Sequence, residues 1–186
     1  GQAERRGRLG LILAEIVQPG TLLGNCILPE MESIPVYATG SHDTASAVAA
    51  VPAEGADWAY ISSGTWSLMG VELDEPIVNE QALAVNFTNE VGAEGKPVAA
   101  VIDPGAFLLP GDMPAQIRAY CEKTGQKAPA GPGEYARTIF EGLALRYRQV
   151  LEMLEGLMGR KVGVINLVGG GSKNAVLNQF VADSTG

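Results

Sequence analysis

The chain has 186 residues, 46% of them apolar and 18% charged, enough to bury one substantial core but hardly two, so a single domain is expected. Lys plus Arg number 13 against 21 Asp plus Glu. The resulting net charge of -8 would repel phosphate polymers and anionic lipid surfaces, which argues against nucleic-acid and membrane-surface partners. With 24 Gly and 11 Pro the composition predicts many turns between short elements, an α/β chain rather than a helical bundle.

Cys26 and Cys121 stand far apart without CxxC spacing, and His42 is the single histidine. That set excludes most zinc sites and any mechanism needing two histidines, and it argues against a secreted disulfide scaffold; a reducing cytoplasm fits best. No apolar run approaches 18 residues, and no leader pattern is read, so a soluble protein is expected. The chain opens on Gly1 and stops at Gly186 directly after a helical pattern, which suggests a portion of a longer polypeptide.

A short helix is expected within Leu9 to Val17, followed by an irregular stretch rich in Pro and Gly. Ile34 to Thr39 (IPVYAT) reads as a strand, the next residues as a tight turn, and Thr44 to Ala50 as a helix of small residues. Trp58 to Ser62 and Trp66 to Glu72 read as two strands of a hairpin. Val85 to Thr88 is a weaker strand signal, and Met113 to Lys123 a helix with Pro114 in its first turn. The clearest element follows: Ile139, Phe140, Leu143, Tyr147, Val150, Leu151, Leu154 and Leu157 recur at spacings of three and four, bounded by Glu134 and Gly159. Val162 to Val168 reads as a buried strand, Gly169 to Gly171 as a turn, and Ser172 as the cap of a helix running to about Ala182. The strands near 34–39, 58–62, 66–72 and 162–168 are expected to form one mixed sheet, flanked by the helices near 134–158 and 172–182.

Three turns combine small residues with polar side chains where backbone N–H groups would be free, the setting in which anions bind. In Gly40-Ser41-His42-Asp43-Thr44 a carboxylate stands at a helix start; Asp43 is either a cap or a group aimed at a ligand. Ser62-Ser63-Gly64-Thr65-Trp66-Ser67 sets hydroxyls around a glycine, suited to a phosphoryl group, although an ordinary polar turn has the same composition. Val168-Gly169-Gly170-Gly171-Ser172-Lys173-Asn174 follows a strand and opens a helix, letting a flat ligand approach the backbone beside the Asn174 amide. It departs from the dinucleotide fingerprint, because Asn174 holds the third glycine position, and no P-loop or GxSxG motif occurs.

In this order the three turns resemble the C-terminal domain of the FGGY carbohydrate kinases. GSHDTASAVAAVP (Gly40 to Pro52), ISSGTWSLMGVE (Ile61 to Glu72), NFTNE (Asn86 to Glu90), LALRYRQVLE (Leu143 to Glu152) and VGGGSKNAVLNQF (Val168 to Phe180) are similar to the rhamnulokinase branch. The resemblance implies an α/β actin-like ATPase (ribonuclease H-like) domain and transfer of the γ-phosphoryl group of ATP, with Mg²⁺, to O1 of L-rhamnulose. Carried over, it implies Asp43 as catalytic base, Gly64 and Thr65 as the phosphate-binding turn, and Gly170, Gly171 and Asn174 as the adenosine-binding turn. His42 would touch the sugar or orient Asp43. It further implies an N-terminal kinase domain as partner, because the family's first phosphate loop, Mg²⁺ ligand and most sugar contacts have no counterpart here. The helix that the family carries after NFTNE is also missing, and a deletion or break is expected near 95–97. This portion alone is expected to be inactive. Another ketose such as fuculose or xylulose, a non-catalytic nucleotide- or sugar-sensing module, and an NAD-binding domain remain as alternatives.

Overall fold

The computed structural model describes residues 14–40, 43–91, 97–101 and 111–186. The strands are β1 (Leu22–Asn25), β2 (Pro35–Tyr37), β3 (Trp58–Ser63), β4 (Ser67–Glu72), β5 (Phe87–Val91), β6 (Pro97–Val101) and β7 (Val164–Val168). The α-helices are α1 (Asp43–Ala49), α2 (Glu80–Ala84), α3 (Met113–Lys123), α4 (Pro132–Met158) and α5 (Ala175–Thr185). Five strands form a mixed sheet in the order β5-β6-β4-β3-β7, antiparallel throughout except for the parallel pair β3 and β7.

Two expectations about the sheet need correction. The strand read over 34–39 does not join it: β2 pairs only with β1, in a separate two-stranded ribbon whose residues are all exposed. Its apolar side chains satisfied the strand pattern, but pattern alone does not choose the pairing partner. The far side of the sheet is built instead by β5 and β6, an antiparallel pair; of the positions near 95–97 where a deletion was expected, 95 and 96 lie outside the described residues and Pro97 is the first residue of β6. β7 begins at Val164, not Val162, and is an edge strand of half-buried residues with Val164 57% exposed. Its run of apolar residues predicted burial on both faces, yet one edge has no neighbouring strand among the described residues.

Side chains alternate across a strand, and this sorts β3 into two faces. Ala59 and Ile61 face the main core with Met69 and Val71 of β4, Ile165 and Leu167 of β7, and the apolar stripes of α4 and α5. Trp58 and Tyr60 face the other way, against Val48 of α1 with Val51 and Ala53 beyond it. The result is three layers, with α4 and α5 on one side of the sheet and α1 on the other.

The helix α4 carries most of the main core because its apolar stripe is long and regular. Ala144, Tyr147, Val150, Leu151 and Leu154 are buried, while Ile139, which the spacing placed in the same stripe, is exposed beside Phe140, which packs against the core. Pro132 suits the first turn, where its missing N–H is not needed, and Gly159 ends the helix in the left-handed conformation at φ 67°. The opposite face carries the i,i+4 pairs Arg137–Glu141 and Arg148–Glu152, exposed and of small energetic weight. The expected helix at 113–123 is present with Asp112 as its cap. Within Leu9 to Val17, residues 14–17 are not helical and the rest lie outside the described residues. No described helix is long and apolar enough to cross a membrane, and both cysteines are free.

Candidate active site

The parallel pair β3 and β7 brings two of the three predicted turns together. Register pairs Ser62 with Val168, so both strands end at the same level, and the chain leaves each carboxyl end into a glycine turn. The ends of adjacent parallel strands whose connections diverge form a crevice, the usual ligand position in open α/β sheets. One wall is the tip Gly64-Thr65-Trp66 between β3 and β4; the other is Gly169 and a short 3-10 turn, Gly170–Lys173, before α5.

Close packing between these walls explains two of the three consecutive glycines. A Cβ on Gly169 would lie 2.7 Å from the Ser63 carbonyl oxygen, and Gly169 also has φ 85°, a left-handed conformation that favours glycine. A Cβ on Gly171 would lie 2.7 Å from the Ser63 Cβ and closer still to its Oγ. A Cβ on Gly170, by contrast, meets nothing within 4 Å. Gly169 and Gly171 are therefore demanded by the neighbouring strand end, while Gly170 alone presents its open side to the surroundings.

The hydroxyls of the first wall divide in the same way. Ser63 is buried, 5% exposed, beneath Gly171, and Ser67 lies 2.7 Å from the Tyr147 hydroxyl of α4. Thr65 is exposed and Ser62 half-buried, which leaves these two hydroxyls at the surface of the turn. The Gly64 N–H donates to the Trp66 carbonyl at 2.9 Å, closing the tip, and Trp66 is 62% exposed.

In the second wall the cap of α5 is Asn174, not Ser172. Asn174 Oδ1 accepts from the N–H groups of Val176 and Leu177 at 3.2 and 3.1 Å, while the Ser172 hydroxyl donates to the Gly169 carbonyl at 2.7 Å. The intervening 3-10 turn moves the cap from Ser172 to Asn174, a step the glycine pattern does not announce. Asn174 is thus engaged through its oxygen, and its Nδ2 is the group left to donate to a ligand. Asn178, one helical turn on, donates to the Ser172 carbonyl at 2.7 Å and braces the turn from behind. Sequence reasoning missed Asn178, although an amide next to Leu177 and three residues before Val181, both on the buried stripe of α5, was the available signal.

The third predicted turn is only partly described. Asp43 is the first residue of α1, whose Val48 packs against the Trp58 and Tyr60 face of β3, opposite α4 and α5. His42 lies outside the described residues. Among the described residues no group of three or more His, Cys, Asp or Glu is gathered in a way that would hold a metal ion.

The mixed sheet with helices on both sides is an α/β domain of the actin-like ATPase class. Solved structures agree at the level of the fold: a carbohydrate kinase from Novosphingobium aromaticivorans superposes with a TM-score of 0.62 at 17% identity, covering 98% of this chain and 48% of that one. The xylulose kinase from Bifidobacterium adolescentis gives 0.60, also at 17% identity, over 97% of this chain and 43% of that one. Residues 94–186 match the C-terminal domain of the FGGY family of carbohydrate kinases, and the chain belongs to that family. A rhamnulokinase from Bacteroides thetaiotaomicron is 42% identical over 94% of this chain. The chain spans 42% of that relative, less than half its length.

Proposed function

We propose that this chain is the C-terminal lobe of an ATP-dependent sugar kinase that phosphorylates O1 of L-rhamnulose. The observation that carries the reading is the meeting of the Ser-Gly-Thr turn and the triple-glycine turn at the ends of β3 and β7. A nucleotide fits such a crevice: Gly170 offers an unobstructed backbone surface for the adenosine, Asn174 an amide donor, and Gly64 with Thr65 a small polar tip for the transferring phosphoryl group. The rhamnulokinase relative favours rhamnulose over the other ketoses.

In this reading the Asp43 carboxylate accepts the proton of the sugar O1 hydroxyl as O1 bonds to the γ-phosphorus. The bond from that phosphorus to the β,γ-bridging oxygen breaks and ADP leaves. Donors of the Gly64–Thr65 turn hold the transferring group, and positioning and charge stabilisation supply most of the rate. His42 would contact the sugar. Mg²⁺, when bound with ATP, would neutralise phosphate charge; among the described residues no group of three or more His, Cys, Asp or Glu is gathered for it, and in this reading its protein ligands would come from the N-terminal lobe. The exposed apolar ribbon, with Leu22, Leu23, Ile34, Val36 and Tyr37 each at least 40% exposed, supports a partner lobe as its cover. The alignment with the relative runs over 212 positions, more than the 186 residues of this chain, which supports residues missing here relative to that protein; in this reading the interruption lies near 95–97.

The test is coupled ADP release by an intact kinase carrying this chain, with L-rhamnulose, L-fuculose and D-xylulose compared. Rhamnulose-dependent turnover is expected, with Asp43→Asn lowering kcat by about 10² to 10⁴ while the KM for ATP changes little. ATP binding without turnover on any sugar would point instead to a sensing module.

A further inference from the structure

The tip of the β3–β4 turn is held at both shoulders. Ser63, its last residue before the tip, is wedged against Gly171; Ser67, its first residue after it, faces Ser63 across the ladder and is hydrogen-bonded to the Tyr147 hydroxyl at 2.7 Å. Tyr147 is 4% exposed and lies in the main core with Met69, Val71, Val150 and Leu151. Filling that space needs only an aromatic ring; the phenolic oxygen needs a partner once buried, and it finds one in the residue where the chain leaves the tip. The two residues stand 80 positions apart, so the bond ties the turn to the longest helix of the domain rather than to its own hairpin. Gly64, Thr65 and Trp66 between these anchors are exposed.

We propose that Tyr147 is a positioning residue, acting through Ser67 to hold the Gly64–Thr65 tip where the transferring phosphoryl group passes. The inference rests on the kinase reading above. A group bound in the transition state gains from donors already in place, and a displacement of about 1 Å can lower the rate by roughly a hundredfold. ADP, which lacks the γ-phosphoryl group, gains nothing from the tip being held.

The experiment uses an intact kinase carrying this chain, with Tyr147→Phe, Ser67→Ala, Ser67→Thr and the Tyr147→Phe/Ser67→Ala double variant. Steady-state kinetics with rhamnulose are paired with equilibrium titration of ADP. Tyr147→Phe and Ser67→Ala are each expected to lower kcat by roughly ten- to a hundredfold with the Kd for ADP unchanged. Ser67→Thr, which keeps the hydroxyl, retains activity, and the double variant is no worse than either single one. Should Tyr147→Phe disturb α4, Ser67→Ala removes the same bond from the other end. Unchanged kcat in both single variants, or a loss of kcat matched by equal weakening of ADP, overturns the inference and leaves the kinase reading intact. Absence of sugar-dependent ADP release in the unmodified enzyme overturns that reading and this inference with it.

Discussion

Three glycines in a row look equivalent in sequence, and their surroundings make them unequal. The Gly171 Cα faces Ser63 at a distance that leaves no room for a methyl group, so Gly171→Ala should lower the thermal midpoint and weaken nucleotide binding together. Adding Ser63→Gly removes the Cβ and the Oγ that would clash but leaves the Ser63 carbonyl oxygen 3.1 Å away, so the double variant should recover part of the loss, less the roughly 0.5–1 kcal/mol that glycine costs in a strand. Failure of that rescue in a melting experiment would show that the turn is held by something other than this contact. Gly170→Val makes the contrast: with open space at its Cβ, the fold should keep its midpoint while the KM for ATP rises. A large drop in midpoint for Gly170→Val would remove Gly170 from the candidate ligand surface.

Among the elements, α5 depends on its cap and α4 on its junction with β7. Asn174 satisfies two N–H groups at the start of α5, so Asn174→Ala should cost about 1 kcal/mol, a fall of roughly 2–4 °C in Tm for a chain of this size. Ser172→Ala should cost less, because its hydroxyl closes the 3-10 turn and caps no helix. At the other end of the domain, Glu155 near the end of α4 takes Lys161 on one carboxylate oxygen at 2.6 Å and the Val162 N–H on the other at 3.0 Å, binding the helix to the chain entering β7. Arg160 adds a pair with Asp57 and a hydrogen bond to the Ala56 carbonyl at the start of β3. The hydrogen bond from Lys161, reinforced by that from Val162 and by the lysine's charge, outweighs the desolvation of Glu155 and holds its carboxyl below the ordinary carboxylate value.

That shift has a consequence for the molecule as a whole. A carboxyl whose pKa is lower folded than unfolded contributes stability above the unfolded value, about 4.3, and loses it as pH falls through the folded value. Glu155→Gln should therefore melt below the unmodified protein at pH 6 and converge with it as pH falls below about 4. A gap that persists at pH 2 would assign the contact to neutral hydrogen bonding alone. At the same scale the layers pack through a main core on one face of the sheet and a smaller cluster on the other, whereas the ribbon β1–β2 leaves its apolar side chains in solvent. A partner lobe over that ribbon should protect its amides from hydrogen exchange in an intact kinase relative to this chain by itself.

The sequence by itself determined the elements whose signal is local: the period of α4, the hairpin β3–β4, the proline-started α3 and the glycines that end helices. It also carried the family, because the words around Asp43, Gly64 and Gly170 stand in a fixed order along the chain. Tertiary structure alone decided which strands pair, and so placed 34–39 in a ribbon and 87–91 with 97–101 in the sheet. It decided that Asn174, not Ser172, caps α5, and that Ser63 and Ser67 serve packing and anchorage while Thr65 stays at the surface. The physical reason is common to all of these. Period and turn chemistry act over a few residues, whereas strand partners, steric room at a glycine and the owner of a buried hydroxyl depend on groups brought together from distant parts of the chain.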